Sequence, residues 1–168
     1  MITPAQFLAA VDHETQVIKH LATRLPPGTL DWRPTPGQRS TLELLRYLTC
    51  AASVPCLAMV RGNWDDAEAL EQAAEAVTPA TFPAAMDRQR ALIAEALAPL
   101  SGRDFLERDA RLPWGTPVKL GEALVRTVLY TYVAYRMQLF LYAKQSGNAS
   151  LGPANCWVGM DAPGATPA

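Results

Sequence analysis

The longest apolar stretch of the chain reads LGEALVRTVLYTYVAYRMQLFLYAKQ and extends from Leu120 to Gln145. It contains no proline, and Gly147 and Asn148 follow it, which is typical of the end of a helix. The spacing of its side chains gives this predicted helix two faces. One face carries Leu124, Val128, Thr131, Tyr135 and Tyr142, and the opposite face carries Leu129, Val133, Met137, Phe140 and Leu141. A helix that is apolar on nearly every side must be covered on every side.

The second of these faces predicts a homodimer. The other helices of a four-helix monomer cover only one side of the last helix, and five large side chains exceed what most loops cover. We therefore expect two copies of the chain to associate through Leu129, Val133, Met137, Phe140 and Leu141. The alternative is that a long loop or the C-terminal tail covers this face.

Three further helices are predicted upstream, at about Pro4–Leu25, Ser40–Arg61 and Pro83–Leu100. The first two open with the capping-box patterns T-x-x-Q and S-x-x-E. Pro55 is expected to kink the second helix or to end it early. The acidic connection over residues 62–81, with a short helix at Asp66–Ala76, is long enough to cross a bundle. Between the last two helices we expect a loop or a short extended piece.

These elements predict an all-α fold, a four-helix bundle with a long crossover between its second and third helices. Residues 1–147 are expected to form the bundle. Residues 148–168 show no periodicity and predict an irregular C-terminal tail whose last residues are frayed.

The composition narrows the classes of function. The chain has 168 residues, of which 49% are hydrophobic and 18% charged, which fits one folded domain. Its formal net charge is −1, so nothing in the balance predicts a nucleic acid or an anionic membrane as a partner. We find no signal peptide and no uninterrupted apolar run of about 18 residues, and expect no membrane span. Three cysteines without a CxxC motif suit the reducing cytoplasm.

Three short stretches of the sequence carry motifs that follow one another in a fixed order along the chain. Residues 25–45 contain LP, LDWRP, PG and STLELL, residues 45–48 read LRYL, and residues 131–139 read TYVAYRMQL. Together they resemble the DinB-like family of damage-inducible proteins, which also includes thiol-dependent transferases and maleylpyruvate isomerases. The resemblance implies a divalent metal ion, commonly nickel or zinc. One histidine of the second helix would bind it with two from the pattern H-x-x-x-H-R-x-Q-L in the fourth.

This chain has Tyr47, Thr131 and Tyr135 at the three positions of those histidines. Their hydroxyls are neutral at pH 7 and are poor ligands for nickel or zinc compared with imidazole. We therefore expect no metal cofactor. The alternative is a nickel or zinc site rebuilt from Glu14 and one or both tyrosines. The two histidines of the chain, His13 and His20, are expected to face solvent on the first helix.

The vacated positions leave two interpretations open. Either the phenol rings fill the former site, or a small polar cavity persists and binds an organic ligand. In the second case Gln138 is expected to orient the ligand, and Trp32, Arg33 and Trp114 to line the mouth. Glu14 is close enough to the apolar stripe to reach inward and pair with Arg136, at the pocket or as a salt bridge at the rim.

Two functions of different kinds follow. The first is a metal-free, dimeric binding or scaffold protein without catalysis. The second is an enzyme that keeps a small-molecule pocket, by analogy a thiol-dependent transferase or an isomerase, with Tyr47 or Tyr135 as general acid. The first accounts for both the missing metal ligands and the two-sided last helix, and we favour it.

Overall fold

The structure is a computed structural model that describes residues 2–161 of the chain. Its elements in chain order are α1 (Pro4–Ala22), α2 (Thr41–Leu48), α3 (Ser53–Arg61), α4 (Ala67–Glu75), α5 (Phe82–Leu97), α6 (Gly102–Glu107), β1 (Asp109–Arg111), β2 (Pro117–Lys119), α7 (Leu120–Leu124), a π-helical turn (Val125–Leu129), α8 (Tyr130–Gln145) and a second π-helical turn (Ala154–Val158). The all-α prediction is confirmed.

The four bundle members are α1, the α2–α3 pair, α5 and the continuous helix from α7 to α8. In this bundle α1 packs against α8 and α5, α3 packs against α5, and α2 packs against α8. The fully buried side chains between them include Phe7, Ile18, Leu44, Met86 and Leu139. The long crossover is confirmed as well, since α4 lies within the connection from α3 to α5.

The second predicted helix is broken near Pro55. Proline has no N–H to continue the helical hydrogen bonds and its ring clashes with the preceding turn, so α2 ends at Leu48 and α3 begins at Ser53. Gln89 of α5 is buried against the break. Its Nε2 donates to the Leu48 carbonyl at 2.8 Å, and its Oε1 accepts from the Ala52 and Ser53 N–H groups at 3.0 and 3.2 Å. A neighbouring helix therefore satisfies backbone groups that the break leaves open.

The same stretch bears on the question of a membrane. Among the residues that the structure describes, the stretch Thr41–Arg61, which contains α2 and α3, is by length and composition apolar enough to cross a bilayer, with a mean hydropathy of 1.3. However, 61% of that stretch is buried inside the bundle. Packing in the core of a soluble fold accounts for its composition.

The segment between α5 and the last helix is more regular than expected. Ser101 caps α6 through the Asp104 N–H, and the side chain of Asp104 accepts from the Ser101 N–H. Strands β1 and β2 then pair antiparallel, with Ala110 opposite Val118. The short extended piece is confirmed by this hairpin, whereas α6 was missed although the S-x-x-D pattern signals it.

The last helix is interrupted by the π-helical turn at Val125–Leu129. A π turn holds one residue more than an α turn, so every side chain after it is rotated relative to a regular helix. The buried face passes from Leu124 and Val128 to Tyr132, Arg136 and Leu139. The sequence-based prediction of Thr131 and Tyr135 on the core face, which assumed a regular helix, is therefore wrong by one residue, and both side chains are only half-buried.

The described part of the tail packs along α1. The second π-helical turn contacts that helix, where Nε2 of His13 bonds the Trp157 carbonyl oxygen at 2.9 Å. Asn155 bonds Nε2 of His20 at 3.1 Å, and Asp161 pairs with Arg24. His20 is thus half-buried beneath the tail rather than directed to solvent, while His13 stays exposed at its edge. The predicted fraying concerns residues that include 162–168, which lie outside the described part of the chain.

Candidate functional site

The three positions that the resemblance aligns with the family's histidines meet where α2 faces α8. Tyr47 projects from α2, and the rings of Tyr47 and Tyr135 pack edge to face with centroids 4.8 Å apart. Thr131, one turn before Tyr135, lines the same cavity as Tyr47. The resemblance therefore selected residues that are neighbours in the fold.

The cavity beside them has a volume of about 300 Å³ and is open to solvent. We call it the aromatic pocket and define it by Tyr47, Cys50, Ala51, Val54, Pro55, Trp64, Glu71, Pro113, Trp114, Arg126, Thr127 and Thr131. Two loops supply its indole rings: Trp64 follows α3, and Trp114 lies in the turn of the β-hairpin. These side chains are 47% and 62% exposed, so neither serves the core.

A second cavity adjoins the first. This charged pocket has a volume of about 600 Å³ and is lined by Arg39, Glu43, Arg46, Tyr47, Cys50, Glu71, Ala74 and Glu75. It shares Tyr47, Cys50 and Glu71 with the aromatic pocket, so the two cavities adjoin along these three side chains, which we call the shared wall, and we call the two cavities together the groove. The guanidinium of Arg39 lies over the Tyr47 ring, 4.0 Å from its centroid.

Two side chains of the shared wall, Tyr47 and Cys50, are uncharged at neutral pH. Burial, reinforced by the neighbouring Tyr135, raises the pKa of Tyr47 to about 12. Burial also raises the pKa of Cys50 to about 11, with Glu71 adding to the rise and Arg39 opposing it. The wall therefore combines a neutral phenol and a neutral thiol with the carboxyl group of Glu71.

These donors do not fit nickel or zinc. The hydroxyl of Thr131 donates to the Thr127 carbonyl at 2.7 Å within the irregular turn of the helix. To bind a metal ion as an anion, Tyr47 would have to lose its proton, which a pKa of about 12 makes unfavourable at neutral pH. Among residues 2–161, no group of three His, Cys, Asp and Glu side chains is placed to hold a metal ion. The divalent-metal chemistry implied by the resemblance has no suitable ligand set here.

Glu14 and Arg136 form a buried ion pair away from this groove. Nη1 of Arg136 donates to Oε1 of Glu14 at 3.0 Å, and the side chains are 2% and 10% exposed. Trp157 of the tail lies over the guanidinium, 4.8 Å from it. The two residues pair as expected, but in the interior and not at the rim, because the π-helical turn rotates Arg136 inward. They line neither cavity, so a metal site rebuilt from Glu14 is not assembled.

Burying the ionised carboxylate of Glu14 costs free energy that the pairing with Arg136 does not fully offset. Burial raises the pKa of Glu14 by more than Arg136 lowers it, so the ionised carboxylate is less stable in the folded protein than in water. The native state consequently binds this proton more tightly than the unfolded chain. The contribution of Glu14 to stability falls as the pH rises above 4.5, the ordinary pKa of a glutamate carboxyl group.

Gln138 and Trp32 secure the loop before α2. Nε2 of Gln138 donates to the Tyr142 hydroxyl at 3.0 Å, and that hydroxyl donates to the Arg39 carbonyl at 2.9 Å. Trp32 packs edge to face on Tyr142, with centroids 5.2 Å apart. Gln138 lines neither cavity, and its contacts position the backbone that carries Arg39 instead.

Sequence reasoning missed most of the groove. It named Tyr47, Thr131 and Trp114 but not the two residues of the shared wall that follow α2, Cys50 and Glu71. Trp64 and Arg126 were missed too, since they come from separate segments with no motif. The available signal was an aromatic side chain in each of two polar loops.

The fold and the groove define a helical bundle with a pocket where its second and last helices meet. A sequence model of the DinB superfamily matches residues 10–130, and the chain belongs to that superfamily. The crystal structure of a DinB-like protein from Bacillus subtilis is similar, with a TM-score of 0.64 and 17% identity over 84% of this chain and 92% of that one. Comparison with curated protein sequences gives no significant match. The match and the neighbour confirm the resemblance and the fold.

The buried ion pair yields a double-mutant prediction. Glu14→Leu and Arg136→Met, made singly, should each lower the free energy of unfolding by about 3 kcal/mol, because each leaves one buried charge unpaired. The double variant should be within about 1 kcal/mol of the parent, because neither charge remains. Urea denaturation at pH 7 measures both quantities.

The control is the exposed pair of Arg103 and Glu107 on α6. Glu107→Leu should change stability by less than about 0.5 kcal/mol, since water screens exposed pairs. Losses that simply add in the Glu14 and Arg136 double variant would contradict the assignment of these residues to one coupled pair.

Proposed function

We propose that this member of the DinB superfamily is a metal-independent homodimer that binds a small organic molecule in the aromatic pocket. The observation that carries the proposal is that a cavity stays open where the resemblance places metal ligands, while its wall presents the neutral Tyr47 hydroxyl and two indole rings beside Glu71 and Arg126. The family's site would thus be reused for binding, without the metal.

The shape and lining of the pocket favour an organic ligand. A volume of about 300 Å³ lies at the small end of ligand pockets. Trp64 and Trp114 expose large apolar surfaces to it, and such surfaces gain free energy when a ring or alkyl group covers them. The hydroxyls of Tyr47 and Thr131 then provide the polar contacts that fix a ligand's orientation.

The high pKa values of Tyr47 and Cys50 favour a binding function over a catalytic one. An efficient general acid or base has a pKa near the working pH, whereas that of Tyr47 is about 12. The Cys50 thiol, with a pKa of about 11, is a poor nucleophile at pH 7 because the thiolate is the reactive form. The Tyr47 hydroxyl is therefore suited to hydrogen bonding with a ligand, while the Cys50 thiol donates to the Tyr47 carbonyl at 3.4 Å.

The dimer is proposed through the outer face of α8. Tyr130, Val133 and Leu141 are 61%, 42% and 43% exposed on that face. Ala134 lies between them and is exposed as well, and Met137 is half-buried. This uncharged stripe repeats at helical spacing, and a second copy of the chain offers the same surface to it. Leu129 and Phe140, also predicted at the interface, pack against the core at its edge.

The compartment is proposed to be the cytoplasm. Cys50, Cys56 and Cys156 are all free thiols buried in the fold. Burial raises the pKa of Cys56 to about 12 and also raises that of Cys156, so these thiols act as small apolar side chains. A reducing environment suits such a set.

The ligand-binding proposal is tested with indole as the probe. Indole titrated into the full chain should shift the amide NMR signals of residues around the aromatic pocket, with a dissociation constant of about 1 mM. Val54→Phe places a ring in the pocket and should weaken indole binding at least about tenfold.

The matched control is Val158→Phe, the same substitution at an exposed site on the tail. It should leave indole binding unchanged. Indole shifts that are absent, or that persist in Val54→Phe, would overturn the proposal.

The dimer is tested by substitution on α8. Leu141→Glu places a charge in the proposed interface and should convert the dimer to a monomer in sedimentation equilibrium, because the charge would be buried without a partner. Leu106→Glu is the control, since Leu106 on α6 has a similar exposure of 41% outside the interface. A monomeric parent chain would contradict this part of the proposal.

A further inference from the structure

Across residues 2–161, the groove holds a free guanidinium, that of Arg39, and its shared wall carries a free carboxylate, that of Glu71. Arg39 lies over the Tyr47 ring, and within the described part of the chain its side chain has no ion-pair or hydrogen-bond partner. Glu71 of α4 lines both pockets and is likewise without a partner among residues 2–161. The electrostatic effects of Arg39 and Glu71 on Cys50 are opposed, which places Cys50 within the field of both.

Two other charges of the charged pocket are already engaged. Glu43 accepts from the Ser40 N–H at 2.6 Å in the capping box and lies 3.5 Å from Arg33. Nε of Arg46 donates to the Val77 carbonyl at 3.1 Å. Glu75, one turn after Glu71 on α4, also has no partner within residues 2–161, but it lines only the charged pocket. Arg126 of the aromatic pocket pairs with Glu122 at 3.0 Å. Arg39 and Glu71 are therefore the opposite charges available to a ligand that lies across the shared wall.

We infer that the ligand is a zwitterion with an apolar body, an α-amino acid or a derivative that keeps its free amino and carboxylate groups. The inference rests on the proposed function, because it assigns the polar end of the ligand bound in the same groove. The carboxylate would bind Arg39, the ammonium group would bind Glu71, and the apolar body would lie between Trp64 and Trp114.

The charges argue against simpler ligands. A plain carboxylate would gain the contact with Arg39 but would be repelled by Glu71. A plain amine would gain the contact with Glu71 but would be repelled by Arg39. Within residues 2–161 no ion pair joins Arg39 to Glu71, so both groups of the groove stay available to a ligand. A ligand with both charges satisfies each residue and leaves no like charges opposed.

The experiment compares three probes that carry the same aromatic ring. L-phenylalanine, 3-phenylpropionate and 2-phenylethylamine share the benzyl group and differ only in the charges beside it. Calorimetric or NMR titration of the full chain should give phenylalanine an affinity about tenfold higher than that of either single-charge analogue.

Charge-removing variants assign the two contacts. Glu71→Gln should weaken phenylalanine binding about tenfold and strengthen 3-phenylpropionate, since the repelling carboxylate is gone. Arg39→Gln should weaken phenylalanine and strengthen 2-phenylethylamine. Glu68→Gln on α4 and Arg88→Gln on α5 are the matched controls outside the groove, and they should leave all three affinities unchanged.

The indole titration separates this inference from the proposed function. If indole binds in the pocket but the three probes bind equally well, the zwitterion assignment is overturned and the binding function stands. If indole does not bind, both are overturned. Phenylalanine selectivity that survives Glu71→Gln and Arg39→Gln would also overturn the assignment.

Discussion

The π-helical turn at Val125–Leu129 sets the orientation of everything after it in the last helix. Its one additional residue turns Tyr132 and Arg136 into the core and leaves Thr131 at the groove. The hydroxyls of Thr127 and Thr131 bond carbonyls one turn earlier, each at 2.7 Å, and so satisfy polar groups in the irregular segment. The groove, the buried ion pair and the exposed stripe of α8 all depend on this rotation.

The sequence predicted where the helices begin and end better than which side of each helix is buried. Capping boxes at Thr3 and Ser40 and the break at Pro55 are local signals, and the structure contains all three. The inward rotation of Arg136 was not predictable, because no local rule announces a π turn. Gln89 was missed for a similar reason, since its role depends on the distant break that it caps.

The candidate site also contains residues that the sequence predicted and residues that it did not. The resemblance led to Tyr47, Thr131 and Tyr135, and they are neighbours in the fold. It did not lead to Arg39, Glu71 or Trp64, because these residues come together only through the packing of α4 and two loops. At the positions that the resemblance assigns to histidines the chain carries hydroxyl side chains, and burial keeps the pKa of Tyr47 too high for it to act as an anionic ligand.

The central claim is that this groove works without a metal ion. Elemental analysis of untagged protein, before and after incubation with excess nickel or zinc and removal of the unbound ions, tests it most directly. The account predicts far less than one metal ion per chain in both samples, since neutral hydroxyls compete poorly with water for these ions. One nickel or zinc ion per chain, retained after the unbound ions are removed, would contradict it.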